Sequence, residues 1–107
     1  MNLTFYKYQG TGNDFVMIDN RSKTFKKGNT DIISHITDRH FGVGADGIIL
    51  IENDENFDFK MIYFNADGSQ TFCGNGARCA VAFAKKLNII KEKTTFSAFD
   101  GTHFAEI

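Results

Sequence analysis

The amino-acid sequence predicts an α+β fold, a strongly curved mixed β-sheet wrapped around a central buried helix. Three observations carry that expectation. Several short segments alternate apolar and polar residues and are rich in β-branched and aromatic side chains, as strands with one buried face are. The segment 77–87 runs through Ala77, Cys79, Ala80, Val81, Ala82, Phe83 and Ala84 before Lys85 and Lys86 give it a polar end, and a helix with almost no polar face is a buried one. Most of those side chains are small, so strands can approach such a helix closely from every side.

In chain order, strands are expected at 3–8, 14–19, 47–52, 57–64, 70–72, 94–98 and 102–107. Turn chemistry separates them at Gly10-Thr11-Gly12-Asn13, Asn53-Asp54-Glu55-Asn56, Ala66-Asp67-Gly68-Ser69 and Asp100-Gly101. A first helix is expected from a cap at Asn29 or Thr30 to about Arg39, with Ile32, Ile33 and Ile36 as its apolar stripe. The second helix is the segment 77–87. The closing Phe104-Ala105-Glu106-Ile107 reads as a strand with no turn or helix stop behind it, which points to a fragment of a longer protein.

The bulk numbers bound the function classes. A chain of 107 residues makes one domain rather than two, and a domain of that size buries about 65% of its unfolded surface, enough for one real core. A net charge of −1 gives no electrostatic reason to expect nucleic acid or an anionic membrane as partner. No apolar run approaches the ~20 residues of a membrane span. The start of the chain lacks the basic and apolar regions of a secretory signal, so the expected location is the cytoplasm. A structural disulfide between Cys73 and Cys79 is not expected in that reducing compartment. His35, His40 and His103 show no zinc-ligand spacing with them, so no metal is expected and each thiol is packing or chemistry.

The stretch richest in chemistry is Cys73-Gly74-Asn75-Gly76-Ala77-Arg78-Cys79. Its glycines let the backbone turn sharply and bare its N–H groups as the chain enters the apolar helix. At a helix N-terminus such donors and the dipole favour an anion, so a cysteine there has its thiolate stabilised, and the same donors can hold a substrate carboxylate. Cys73 is therefore a candidate base or nucleophile. The competing reading is a glycine-rich loop before a buried helix, with both cysteines as small hydrophobes, and for Cys79, inside the apolar segment, packing is the expectation. Asn13, Asn65 and Asn75 read as turn residues or as neutral donors and acceptors for a zwitterionic ligand. His40 suits the C-terminal dipole of the first helix.

Two look-alikes fail. The cysteine and arginine of a tyrosine-phosphatase loop are separated by five residues, whereas only four stand between Cys73 and Arg78. Gly42-Val43-Gly44-Ala45-Asp46-Gly47 spells a dinucleotide fingerprint, but a helix precedes it and a strand follows, the reverse of what aims a helix at pyrophosphate.

Four stretches together resemble the diaminopimelate epimerase family, in the family's order and across nearly the whole chain. They are Tyr8-Gln9-Gly10-Thr11-Gly12-Asn13-Asp14-Phe15, Asp38-Arg39-His40-Phe41-Gly42-Val43-Gly44-Ala45-Asp46-Gly47, Phe64-Asn65-Ala66-Asp67-Gly68-Ser69 and Cys73-Gly74-Asn75-Gly76-Ala77-Arg78-Cys79. The resemblance implies that residues 1–107 form one of two pseudo-symmetric domains, the N-terminal one, and that the C-terminal half is absent. It implies epimerisation of LL- to meso-diaminopimelate in lysine and cell-wall precursor synthesis, with neither pyridoxal phosphate nor metal as cofactor. Two cysteines act as acid and base from opposite faces of the substrate. Cys73 matches the first of them, Gly74 and Asn75 supply backbone donors to the α-carboxylate, and Asn13 and Asn65 make side-chain contacts. The implied partners are the small-molecule substrate and either the missing C-terminal half or a second copy of this chain; alone, the chain is expected to be inactive.

The chain departs from the family's pattern at Gly47, where many members carry glutamine, and in a connection from Asn65 to Cys73 one residue shorter than usual. The alternatives are another amino-acid racemase or isomerase of the same fold, such as a proline racemase relative, and a non-catalytic domain of that fold.

Overall fold

A computed structural model describes residues 4–107; Leu3, where the first expected strand begins, lies outside the described residues. Strands β1 (Tyr6–Gly10), β2 (Asn13–Asp19), β3 (Gly47–Glu52), β4 (Phe59–Asn65), β5 (Lys93–Ala98) and β6 (Gly101–Glu106) alternate with helices α1 (Thr30–Thr37), between β2 and β3, and α2 (Gly74–Lys86), between β4 and β5. The strands form one sheet in chain order. Three antiparallel hairpins, β1/β2, β3/β4 and β5/β6, are joined by the parallel pairings β2/β3 and β4/β5.

That pattern places the two helices on opposite faces. Both crossovers step the same way along the sheet, but β4 runs antiparallel to β2, so crossovers of the same hand emerge on opposite sides. On one face α2 packs against β1, β2, β3 and β4, in a core that includes Phe15, Met17, Ile49, Met61, Phe83 and Phe96. The other face carries Val16, Ile18, Ile48, Leu50, Ile62 and Phe64 against Ile33 of α1 and Phe25. The central strand β3 is buried along its whole length, which is why its sequence is a continuous apolar run rather than an alternation. The expected mixed sheet about a buried helix is thus the observed one, with α1 added on the outer face.

Four local expectations shift. Helix α1 stops at Thr37, two residues short of Arg39, because Asp38 Oδ1 accepts the N–H groups of His40 at 2.7 Å and Phe41 at 3.0 Å, an alternative that an aspartate offers the backbone. His40 therefore lies beyond the helix. Helix α2 begins at Gly74, three residues earlier than expected, because Cys73 caps it. The segment 70–72 contributes a single bridge, Phe64 to Gln70, since the chain must leave the sheet to reach that cap. Finally, α2 is not covered on every side: Arg78, Ala82 and Lys85 form an exposed stripe.

The loop after α1 folds back on it. Gly44 and Ala45 donate to the carbonyls of Ile36 and Thr37 at 3.0 and 3.1 Å, satisfying the end of the helix. Gly42 is pressed so closely there that a Cβ would stand 1.9 Å from the His35 carbonyl oxygen. Gly42→Ala is expected to cost about 2–3 kcal/mol, because the obstacle is backbone and cannot rotate away; a shifted urea midpoint at unchanged slope checks it.

One buried charge ties the loop after β2 to the sheet. Glu52 is 1% exposed and accepts from Asn20 at 2.6 Å, Lys27 at 3.0 Å and Lys23 at 3.2 Å, while Asn20 Oδ1 accepts from the Phe25 N–H. Burial pushes the Glu52 carboxyl up, but these hydrogen bonds outweigh it and hold the group below its ordinary 4.5. A depressed folded-state value means stability that is present above the unfolded value and lost as pH falls through the folded one. The wild-type chain should therefore be more stable than Glu52→Gln at pH 7, and the gap should close on acidification below about pH 4.5, as urea midpoints at pH 7 and pH 3.5 will read. Among the described residues, no helix is long and apolar enough to cross a membrane.

Candidate functional site

The sheet brings the nominated residues to one end. Gly10 pairs with Asn13, Phe15 with Gly47, and Gly47 with Asn65. The end of β1, the starts of β2 and β3 and the end of β4 therefore share one edge. The first turn of α2 lies over that edge: a Cβ on Gly10 would come within 3.2 Å of Cys79 Sγ and 3.3 Å of the Asn75 carbonyl oxygen. Glycine at position 10 permits that close approach.

Cys73 caps α2 from an extended backbone (φ −131°, ψ 116°), its Sγ accepting the Gly76 N–H at 3.4 Å. Its carbonyl accepts from Ala77 at 2.8 Å. The N–H groups of Gly74 and Asn75 belong to the first turn, where the helix has no acceptor for them, and no hydrogen bond among the described residues uses them. A half-buried thiol thus stands beside two free backbone donors at the positive end of a helix dipole. That arrangement suits a carboxylate held next to a proton-transfer group. Cys79 is buried in the core around α2, and burial, with Cys73 nearby, pushes its thiol up; it is packing, as its place in the apolar segment predicts.

Asn13 and Asn75 meet. Asn75 Nδ2 donates to Asn13 Oδ1 at 2.8 Å, and Asn13 Nδ2 donates to Asp46 Oδ2 at 3.1 Å. Asn65 is not part of that chain of bonds. Its Nδ2 faces Ser69 and Thr71, 3.1 Å from each hydroxyl oxygen, and it holds the turn that leads to Cys73.

Sequence reasoning missed the charged group behind the two amides. Asp46 Oδ2 also accepts the Asp14 N–H at 3.0 Å, and the Asp46 N–H reaches Asp14 Oδ1 at 3.0 Å. Arg39 grips both oxygens of Asp14 at 2.9 and 3.1 Å and touches Asp46 at 3.3 Å, while Lys7 lies 3.2 Å from Asp14. Two carboxylates and two cations make a neutral cluster. The Arg39 guanidinium, helped by Lys7, holds the Asp14 carboxyl well below the usual carboxylate range.

Tyr63 was missed as well. It is buried, with its ring edge-on to Phe15 at 5.8 Å, and burial, with Cys73 and Asp46 nearby, pushes its phenol up. A Cβ on Gly47 would lie 2.4 Å from that ring and 2.7 Å from its hydroxyl. Glycine at position 47 thus leaves that space to Tyr63. Among the described residues no three His, Cys, Asp or Glu side chains gather as a metal-ligand set.

The sequence profile of the family described as diaminopimelate epimerase matches residues 5–106. A diaminopimelate epimerase of Flavobacterium psychrophilum is 66% identical over 106 residues, which cover 98% of this chain and 41% of the relative. That of Aquifex aeolicus is 43% identical over 115 residues, again 98% of this chain and 41% of the relative. The chain therefore spans about two-fifths of the length of these curated relatives. Among solved structures, a Bacillus anthracis phenazine biosynthesis protein of the PhzF family superposes with a TM-score of 0.75 at 18% identity, over 100% of this chain and 36% of the other; that likeness concerns the fold alone. On the profile match and the two-thirds identity to one of its members, the chain belongs to the diaminopimelate epimerase family.

Proposed function

We propose that this chain supplies one half of the active site of a cofactor-independent diaminopimelate epimerase. Cys73 is one of its two acid–base cysteines, and the other comes from the C-terminal half, which the 107 residues do not include. The single observation that supports the reading best is the Cys73 cap: a half-buried thiol next to the free N–H groups of Gly74 and Asn75 at the start of α2. In the forward direction the Cys73 sulfur takes the α-proton on one face and the opposing cysteine delivers a proton on the other. Exchanging those roles gives the reverse reaction. The charge that develops at the α-carbon and its carboxylate is met by helix N-terminal donors already in place. Asn13 contacts substrate with its side chain, as does Asn65 once its turn meets the second half. Neither pyridoxal phosphate nor metal takes part in this scheme, and the enzyme works in the cytoplasm.

The partner in this reading is the C-terminal half, and the exposed stripe of α2 supports it. Together with the stripe, Val81, Phe96, Phe104 and Ile107 line a mainly apolar groove of about 470 Å³, with Phe104 and Ile107 largely exposed. Without the C-terminal half, a second copy of the chain is the expected occupant, and light scattering at high concentration should read a dimer.

The decisive test fuses residues 1–107 to the remainder of the F. psychrophilum epimerase and incubates the chimera with LL-diaminopimelate in deuterated water. Incorporation of deuterium at the α-carbon together with formation of the meso isomer is expected. A folded chimera that exchanges no α-proton would sink the reading.

A further inference from the structure

The cluster behind the two asparagines has a direction, and the direction comes from Asp46. A carboxylate only accepts hydrogen bonds. At 3.1 Å from Asp46 Oδ2, Asn13 must therefore present its NH₂ group to Asp46 and its carbonyl oxygen to Asn75. Asn75 can satisfy that oxygen only with its own NH₂, which turns Asn75 Oδ1 away from Asn13. The amide orientations thus follow from the chemistry of their partners. Asp46 is itself held in place, because its Oδ2 takes the Asp14 N–H and its own N–H is bonded to Asp14.

We propose that Asp46 is a positioning residue that fixes the polarity of the Asn13–Asn75 pair, so that a zwitterionic amino acid meets a carbonyl acceptor on Asn75 and a free N–H on Asn13 beside the helix donors. The inference rests on the proposed function for its substrate, but the polarity of the amide pair is a property of the chain alone and can be measured there.

Two variants separate polarity from charge. Asp46→Ala removes the acceptor and frees both amides to rotate. Asp46→Asn keeps an oxygen facing inward, because two donors, Asn13 Nδ2 and the Asp14 N–H, lie on that side, while only the exposed Arg39 at 3.3 Å lies on the other. In the chimera, Asp46→Ala should raise KM about tenfold with kcat little changed, and Asp46→Asn should stay close to wild type. A role in stability alone would lower the folded fraction and leave KM where it was. An equal loss in both variants would make charge the cause and overturn the proposal.

The chain itself supplies the second readout. Nitrogen-15 NMR should show distinct side-chain amide signals for Asn13 and Asn75, and a coupling through the hydrogen bond from Asn75 Nδ2 to Asn13 Cγ. In Asp46→Ala that coupling should vanish and both signals should move toward the values of free amides. Unmoved signals in a folded Asp46→Ala would overturn the proposal, and the absence of the coupling in the wild-type chain would overturn it even if Asp46→Ala failed to fold. A chimera that turns over no diaminopimelate would refute the functional reading and leave the NMR result to decide this one.

Discussion

Cys73→Ala in the chimera is expected to lower epimerisation of LL-diaminopimelate by about a hundredfold to ten-thousandfold, the range set by loss of a positioned acid or base. α-Proton exchange should collapse with it, because the proton on the face served by Cys73 then has no acceptor. Cys73→Ser tests whether the loss is chemical. Serine is among the preferred helix caps, so the Gly76 N–H that now meets Cys73 Sγ would meet an oxygen, and α2 should form as well as before. A hydroxyl is a far weaker acid than a thiol and makes a poor base in its place. The expected result is a serine variant with wild-type stability and circular dichroism and with most of the activity gone. Cys79→Ala is the internal control. It removes a thiol from the core and should lower the urea midpoint while most of the turnover survives. Robust turnover by Cys73→Ala would overturn the assignment of the base.

The largest effect on stability is expected from Phe83→Ala, at about 3–5 kcal/mol. Phe83 is fully buried on α2 and meets the rings of Tyr6 at 5.3 Å and Tyr8 at 5.7 Å, so its ring joins the helix to β1. Truncation removes the transfer energy of the ring and leaves a cavity between a helix and a sheet that cannot both move inward. A domain of this size has roughly 5–15 kcal/mol in total, so the loss is a large share of its stability. Phe83→Leu, which keeps much of the volume, should cost under about 1.5 kcal/mol. Urea unfolding followed by circular dichroism measures both. A Phe83→Ala cost below 1 kcal/mol would mean that the packing of β1 on α2 contributes little.

Several features were legible from neighbours in the sequence. The run Gly47-Ile48-Ile49-Leu50-Ile51 marked a strand, and the small apolar residues of α2 marked the helix that the sheet surrounds. The same local reading singled out Cys73 with Gly74 and Asn75, because glycines before an apolar helix expose N–H donors whatever the rest of the chain does. Its errors were local too. Cysteine is not among the side chains that announce a helix cap, so the glycines at 74 and 76 looked like loop and α2 was expected to begin at 77. Asp38 ended α1 early through bonds to the next residues, where the helix was expected to run on to about Arg39.

What only the tertiary structure decided concerns residues far apart in sequence. The bond between Asn13 and Asp46 spans 33 positions and that between Asn75 and Asn13 spans 62; each exists because the register of β2 on β3 and the seat of α2 on β1 bring the ends together. Tyr63 fills the space above Gly47 for the same reason, and the side-chain NH₂ of Asn65 bonds within its own turn rather than joining the Asn13–Asn75 pair. Period, propensity and capping are properties of a few consecutive residues and can be read along the chain. The polarity of a half-buried amide depends on which carboxylate the sheet register places against it, and that register emerges only when the whole core has packed.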